Sequence, residues 1–359
     1  MLNRVLVMAG GTGGHVFPAL AVARALKDQN VEVTWLGTKN GLEAEVVPKA
    51  GFEIDWINIR GLRGNGLLGW MTAPFKLLYA GYQAGAIIRR RKPDVVVGMG
   101  GFVTGPGGFM AWLLRVPVVI HEQNAIPGMT NRLLANLSKK VLEAFPGAFE
   151  KSTNAIAIGN PVRAELLEQH APKQRLSQHD NGKIRLLVVG GSLGARAINS
   201  VMPEVIKIVG DDVLEVRHQT GKKLFEETQS AYAELDINAN VSPFIDDMAK
   251  AYAWADIVLC RAGALTISEL AAIGVGSILV PFPHAVDDHQ TKNASFLVSV
   301  KAATLIPQNQ LTVDRLVKEL SELLGQPEKI LSMAEAAYTV RQTDSVDKVL
   351  SYCREVANV

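Results

Sequence analysis

The feature that most constrains this chain is an internal echo. Val5-Leu6-Val7-Met8-Ala9-Gly10-Gly11-Thr12-Gly13-Gly14 resembles Leu186-Leu187-Val188-Val189-Gly190-Gly191-Ser192-Leu193-Gly194-Ala195. Each segment reads as a fully apolar strand, a glycine turn and a helix start, which is how a Rossmann-like unit opens. Two such openings predict two units, and 359 residues are enough for two domains of roughly 150–200 residues each.

The rest of the chain agrees. Short Val/Ile/Leu-rich runs alternate with helical patterns from end to end. The predicted strands are 4–9, 31–36, 52–58, 95–98, 116–121 and 141–144, then 185–189, 215–219, 241–244, 256–260, 277–280 and 303–306. Helices are predicted at 18–28, 43–50, 77–91, 109–114 and 129–138 in the first half. Apolar strands separated by helices mean parallel sheets covered on both faces, an α/β fold. Pro and Gly punctuate the chain at Gly159-Asn160-Pro161, before a polar stretch, so the domains are read as 1–162 and 163–340. A last helix within 341–359 is expected to pack back on the first domain.

Hydrophobic residues at 48% and charged residues at 20% suit a folded core and argue against disorder. No signal peptide is recognisable at the N-terminus, and no run of about 20 apolar residues would span a bilayer. Cys260 and Cys353 show no metal-binding spacing and read as reduced thiols. The net charge of +2 hides an asymmetry: residues 1–160 hold 17 bases and 10 acids, and the remainder 20 and 25. Between Asp55 and Asp94 there is no acid but seven bases, namely Arg60, Arg63, Lys76, Arg89, Arg90, Arg91 and Lys92. An anionic partner for the first half follows, the alternative being a solvated helix end.

Three glycine-rich loops, Gly10–Gly14, Gly98–Gly108 and Gly190–Gly194, follow predicted strands. Glycine lets backbone N–H groups approach an oxyanion at a helix N-terminus, although tight strand-to-helix turns need small residues for steric reasons alone. Gly11-Thr12-Gly13-Gly14-His15-Val16 departs from the dinucleotide fingerprint, and no acid closes the second strand. Neither a P-loop nor a D-x-D pair is present, so a diphosphate would be held without a motif-borne metal. Ser192 reads equally as a phosphate contact or a helix cap. Glu269 reads as a ribose-binding carboxylate or as the last member of a Thr266-x-x-Glu269 capping box. His15, just past the first loop, is a candidate general base, or an ordinary polar cap. His121 and Glu122 end another strand on the edge where open α/β sheets bind ligands, and their side chains point to opposite faces.

Taken in order, GGTGGHVFP (10–18), GMGGFVTGPGG (98–108), HEQNAIPG (121–128), GNPVR (159–163), GGSLGA (190–195), AGALTISE (262–269) and HAVDDHQTKNA (284–294) resemble the bacterial MurG family through almost the whole chain. These are undecaprenyldiphospho-muramoylpentapeptide beta-N-acetylglucosaminyltransferases of peptidoglycan synthesis. The resemblance implies the GT-B glycosyltransferase architecture, two Rossmann-like domains facing a cleft. It implies an inverting transfer of N-acetylglucosamine from UDP-N-acetylglucosamine to the C4 hydroxyl of the muramoyl sugar of lipid I, giving lipid II and UDP. Carried over by position, Thr12, Gly13, Gly14 and Asn124 approach the donor, and Arg163 and Ser192 serve its sugar or diphosphate end. The backbone of Ile245 reads uracil. Ala264, Leu265, Thr266, Ile267, Ser268 and Glu269 cradle the nucleotide, with Glu269 on the ribose, and Gln290 contacts the transferred sugar. His15 is the preferred base, with His121 and Glu122 as helpers. No cofactor and no metal is implied. One departure from the family pattern is Gly274-Val275-Gly276-Ser277, where a Gly-Leu-Pro-like turn is usual.

The lipid acceptor implies an enzyme peripheral to the cytoplasmic face of the inner membrane, with no nucleic-acid partner. The residues expected to meet an anionic membrane surface lie around 60–92 and 112–115: Leu67, Leu68, Trp70, Met71, Phe75 and Leu78 among the bases, then Trp112, Leu113 and Arg115. The alternatives left open are a 2-epimerase acting on the same sugar nucleotide, a non-catalytic sugar-binding protein and an NAD-dependent oxidoreductase.

Overall fold

The structure is a computed structural model that describes residues 2–59, 61, 66–177, 182–191 and 193–357, with only the backbone described at 66–71 and 286. Arg60, Arg63 and Ser192, and the side chains of Leu67, Leu68, Trp70 and Met71, therefore lie outside the described residues. Two compact units are present, one of Met1–Arg163 with Thr343–Val359, the other of Ala164–Gln342.

In the first unit, β1 (Arg4–Met8), β2 (Glu32–Gly37), β3 (Glu53–Trp56), β4 (Val95–Gly98), β5 (Val118–Glu122), β6 (Lys140–Glu143) and β7 (Ile156–Ala157) form one sheet in the order β3-β2-β1-β4-β5-β6-β7. Every pairing is parallel. The apolar runs are continuous because both faces are covered. Val5 and Val7 of β1 face one core with Leu20, Ala23 and Leu26 of the helix Gly13–Asp28. Leu6 and Met8 face the other, with Ala80, Ala84 and Ile88 of the helix Gly66–Arg91. Val95 and Val97 against Val96 repeat the split on β4. The helix Ser345–Ala357 adds Val349, Leu350, Cys353 and Val356 to the first core, and Ser345 Oγ donates to the Ile158 carbonyl at 2.7 Å.

In the second unit, β8 (Ile184–Val189), β9 (Leu214–Gln219), β10 (Asn240–Ser242), β11 (Ile257–Cys260), β12 (Gly276–Leu279) and β13 (Ala303–Leu305) run in the order β10-β9-β8-β11-β12-β13. This sheet is also parallel throughout. Each sheet thus reverses its strand order beside its first strand, between β1 and β4 and between β8 and β11. Loops leaving the carboxyl ends of those strands flank a topological switch point, the crevice where open α/β sheets take ligands. Those loops are Gly10–Gly14 and 99–103 in one unit, and 190–195 and 261–263 in the other.

The helices predicted at 18–28 and 109–114 begin earlier, at Gly13 and Thr104. The helix predicted at 77–91 starts at Gly66, because the apolar side chains it exposes obscure its period. β7 was not foreseen; two residues on a sheet edge leave no periodic trace. At the departure from the family turn, Gly274 takes φ +70° to end the helix Ala264–Ile273, and Gly276 opens β12.

Candidate active site

The first switch point is built from the two glycine loops of the first unit. Thr12 is the N-cap residue of the helix Gly13–Asp28, with extended backbone and no side-chain capping bond. Gly13 and Gly14 open the helix, and His15 follows on its first turn, partly exposed. Gly100 and Gly101 both have positive φ, +93° and +86°. A Cβ on Gly101 would overlap the carbonyl of Gly10, and one on Gly100 would overlap the His15 imidazole. The second glycine loop is therefore bare because the first loop and His15 press against it.

The loops do not offer all their N–H groups to a ligand. Glu43, fully buried, accepts from the Gly11 N–H at 2.8 Å, from the Thr38 N–H at 3.0 Å and from the Thr38 hydroxyl at 2.8 Å. In the second unit Gln219 does the equivalent: its Oε1 accepts from the Gly191 N–H at 2.9 Å, while its Nε2 donates to the carbonyls of Gly191 and Pro243. The second glycine of each echo is thus tied to the protein. Neither Glu43 nor Gln219 was singled out in the sequence. Their partners lie 32 and 28 residues away, beyond any local pattern.

His15 Nδ1 lies 2.9 Å from Gln123 Oε1. His121 and Glu122 behave differently from the helpers expected. His121 is fully buried, and its Nε2 and Nδ1 meet the Gly159 carbonyl at 2.9 Å and the Gln123 amide nitrogen at 3.2 Å. Burial pushes its pKa down to about 4, so it is neutral. With both nitrogens engaged and no exposure, it has no access to a substrate proton. Glu122, 2% exposed, uses its carboxylate to fold the following loop. It accepts from the Asn124 N–H at 2.9 Å, the Gly128 N–H at 3.1 Å and the Asn131 amide at 2.8 Å. These bonds shape the segment that carries Asn124 and leave the carboxylate buried. Arg163 stacks on the Phe17 ring, 5.0 Å from guanidinium carbon to centroid, beside the first helix.

The second switch point carries the nucleotide candidates. The helix after β11 begins at Ala264, capped by Gly263 without a side-chain bond. Thr266 and Glu269 therefore stand inside the helix, not at its boundary, and the capping-box alternative is contradicted. The Glu269 carboxylate is buried, and the Tyr252 hydroxyl donates to its Oε2 at 3.3 Å. Within 264–269 the contributions differ. Ile267 is fully buried and its N–H donates to the Gly263 carbonyl at 3.0 Å, so it has neither side chain nor N–H to give a ligand. The Ser268 hydroxyl donates to the Ala264 carbonyl at 3.1 Å, while Leu265 and Thr266 stay partly exposed. Ile245 is partly exposed in the loop after β10. Gln290 does not present a free amide: its Oε1 accepts from the Phe282 N–H at 2.9 Å, leaving its NH2 to point elsewhere. Ser192 lies outside the described residues, and the helix beyond it starts at Arg196.

The helices Gly66–Arg91 and Thr104–Leu113 pack on one another and leave an apolar face uncovered. On the first helix Phe75 and Tyr82 are 74% and 73% exposed, with Leu78 and Tyr79 also exposed, and on the second Phe109, Trp112 and Leu113 are exposed. The bases of this region divide. Arg90 and Arg91 pair with Asp55, and Arg91 also with Glu53 at 2.7 Å, which holds the Arg91 guanidinium protonated above its ordinary range. Within the basic run 89–92, Arg90 and Arg91 are thus engaged by carboxylates of the protein, Arg90 remaining largely exposed, while Arg89 and Lys92 are exposed. Among the described residues, no helix is long and apolar enough to cross a membrane.

Comparison with known proteins bears on both units. Residues 5–143 match the glycosyltransferase family 28 N-terminal domain and residues 185–349 its C-terminal domain. A UDP-N-acetylglucosamine–N-acetylmuramyl-(pentapeptide) pyrophosphoryl-undecaprenol N-acetylglucosamine transferase of Marinobacter nauticus is 53% identical over 99% of this chain and 98% of its own length. The protein of the same name from Nitrosococcus oceani is 52% identical over the full length of both. The crystal structure of Acinetobacter baumannii MurG superposes with a TM-score of 0.82 at 40% identity, covering 98% of this chain and 99% of that one. A UDP-N-acetylglucosamine 2-epimerase from Listeria monocytogenes reaches a TM-score of 0.69 at 15% identity over 99% of this chain and 96% of that one, a likeness of fold alone.

Proposed function

Because this chain belongs to the MurG family within glycosyltransferase family 28, we propose that it transfers N-acetylglucosamine from UDP-N-acetylglucosamine to the C4 hydroxyl of the muramoyl sugar of lipid I, giving lipid II and UDP. One observation carries this reading. Relatives bearing that transferase name match the chain from end to end, with both switch points included.

The chemistry assigned to the residues is a single inverting displacement. The acceptor C4 oxygen attacks the anomeric carbon while His15 takes its proton, and the bond from that carbon to the diphosphate oxygen breaks with its electron pair leaving on UDP. The donor nucleotide is read on the second unit, with the ribose on Glu269, uracil on the Ile245 backbone, and the diphosphate near Ser192 and the start of the helix Arg196–Val209. Gln290 meets the sugar through its NH2 group. Thr12, Gly13, Gly14, Asn124 and Arg163 contribute from the first unit. No metal takes part in this scheme. The test is incubation with UDP-N-acetylglucosamine and a lipid I analogue in the presence of a chelator. Acceptor-dependent UDP release is expected; release or epimerisation without acceptor would favour the 2-epimerase alternative.

The same reading puts the protein at the cytoplasmic face of the inner membrane, held peripherally by the uncovered apolar face. Burying one such side chain is worth about 1.5–3 kcal/mol. Replacing Phe75 and Trp112 together by serine is expected to weaken binding to phosphatidylglycerol vesicles by at least about tenfold, measured by flotation. Charge reversal at Arg90 and Arg91 breaks their pairing with Asp55 and is expected to lower the melting temperature more than vesicle binding. Undiminished flotation of the Phe75/Trp112 variant would remove the apolar face from the membrane reading.

A further inference from the structure

The reading of His15 as general base leaves open which ring nitrogen carries its proton, and the surrounding groups answer that by elimination. The Gly159 carbonyl can only accept, so His121 Nε2, 2.9 Å away, carries a hydrogen. His121 is neutral and fully buried, so its Nδ1 is a bare acceptor. The Met99 carbonyl can likewise only accept, and it lies 3.0 Å from the Gln123 amide nitrogen, which also reaches His121 Nδ1 at 3.2 Å. Both amide hydrogens are thereby spoken for, the His121 carbonyl at 3.3 Å adding a third acceptor, and the amide cannot flip without setting its oxygen against two carbonyls and a ring lone pair. Its Oε1 is left facing His15 Nδ1 at 2.9 Å. An amide oxygen only accepts. His15 Nδ1 must carry the proton, and Nε2 keeps the lone pair a base needs.

We propose that Gln123 is the positioning residue of this enzyme: its amide, oriented by the Met99 carbonyl and His121, holds His15 in the Nδ1–H tautomer and so presents Nε2 as the base. This rests on the reading of His15 as the base. Gly100 belongs to the same device, since a Cβ there would occupy the space of the imidazole edge that meets Gln123. A neutral imidazole free in water prefers the Nε2–H form, which would leave the base nitrogen blocked. Gln123 reverses that preference without touching substrate.

The experiment is long-range ¹H–¹⁵N correlation NMR on ¹⁵N-histidine-labelled full-length protein, with the His15 signals assigned by their loss in His15→Gln, beside steady-state kinetics. In the unaltered protein His15 is expected as Nδ1–H. In Gln123→Leu the Nε2–H form should dominate, and kcat should fall about 10–100-fold with the donor KM changed less than about twofold. An Nε2–H His15 in the unaltered protein overturns the proposal even if the Leu variant fails to fold, as does an Nδ1–H His15 in a folded Gln123→Leu. Near-normal turnover of His15→Gln would instead overturn the base reading alone, whatever the tautomer measured.

Discussion

Replacing His15 by alanine is expected to lower kcat by about 10²–10⁴-fold, the usual worth of a positioned general base. The donor KM should change little, because the nucleotide contacts are assigned to the second unit. The geometry supports so large an effect. His15 is partly exposed at the mouth of a switch point, has its Nδ1 side held by Gln123, and has its space kept by Gly100. His121, Glu122 and Glu43 are 0–2% exposed and already bonded within the protein, so none can take over the proton transfer. Turnover within a few-fold of the unaltered enzyme at saturating donor and acceptor would sink the assignment.

The second large effect is expected at Glu269. A carboxylate accepting from both ribose hydroxyls makes two charge-assisted hydrogen bonds, each worth about 1.5–3 kcal/mol when its partner is lost. Glu269→Ala should therefore raise the donor KM by at least about 10²-fold, with a smaller change in kcat, since the ribose is far from the bond that breaks and binds alike in ground and transition states. The diagnostic comparison uses a donor lacking the ribose 2′-hydroxyl. The unaltered enzyme should discriminate strongly against it, and the variant should not. Equal discrimination by both would show that the carboxylate does not read the ribose. Tyr252, whose hydroxyl meets Glu269, orients the carboxylate from a helix that sequence inspection passed over.

The legibility of this protein divides along a physical line. Strand periodicity, glycine turns and helix starts are local, so the two parallel sheets were readable, and the strands were placed within a few residues. The ambiguous boundaries were those where local signals conflict. Thr266 and Glu269 satisfy a capping-box spacing, yet the helix starts earlier, at Ala264, because Gly263 at the end of the β11 loop already supplies the cap conformation. The start of the helix Gly66–Arg91 is hard to read from sequence because it carries apolar residues on its uncovered face as well as its packed one.

The site was readable as a set of loops but not as a set of roles. His121, Glu122 and Gln123 are consecutive, and nothing in their spacing distinguishes a buried acceptor, a loop-shaping carboxylate and an orienting amide. That depends on Gly159, Asn131 and Met99, partners brought from 38, 9 and 24 residues away. By itself the sequence determined the α/β class, the doubled Rossmann-like plan, the family and the candidate loops, because each is written in short-range pattern or in direct likeness of residues. Only the tertiary structure decided which polar groups of the loops are consumed by the protein itself. Hydrogen-bond satisfaction in a buried site is settled by whatever the fold places within about 3 Å, and that neighbourhood is not local in the chain.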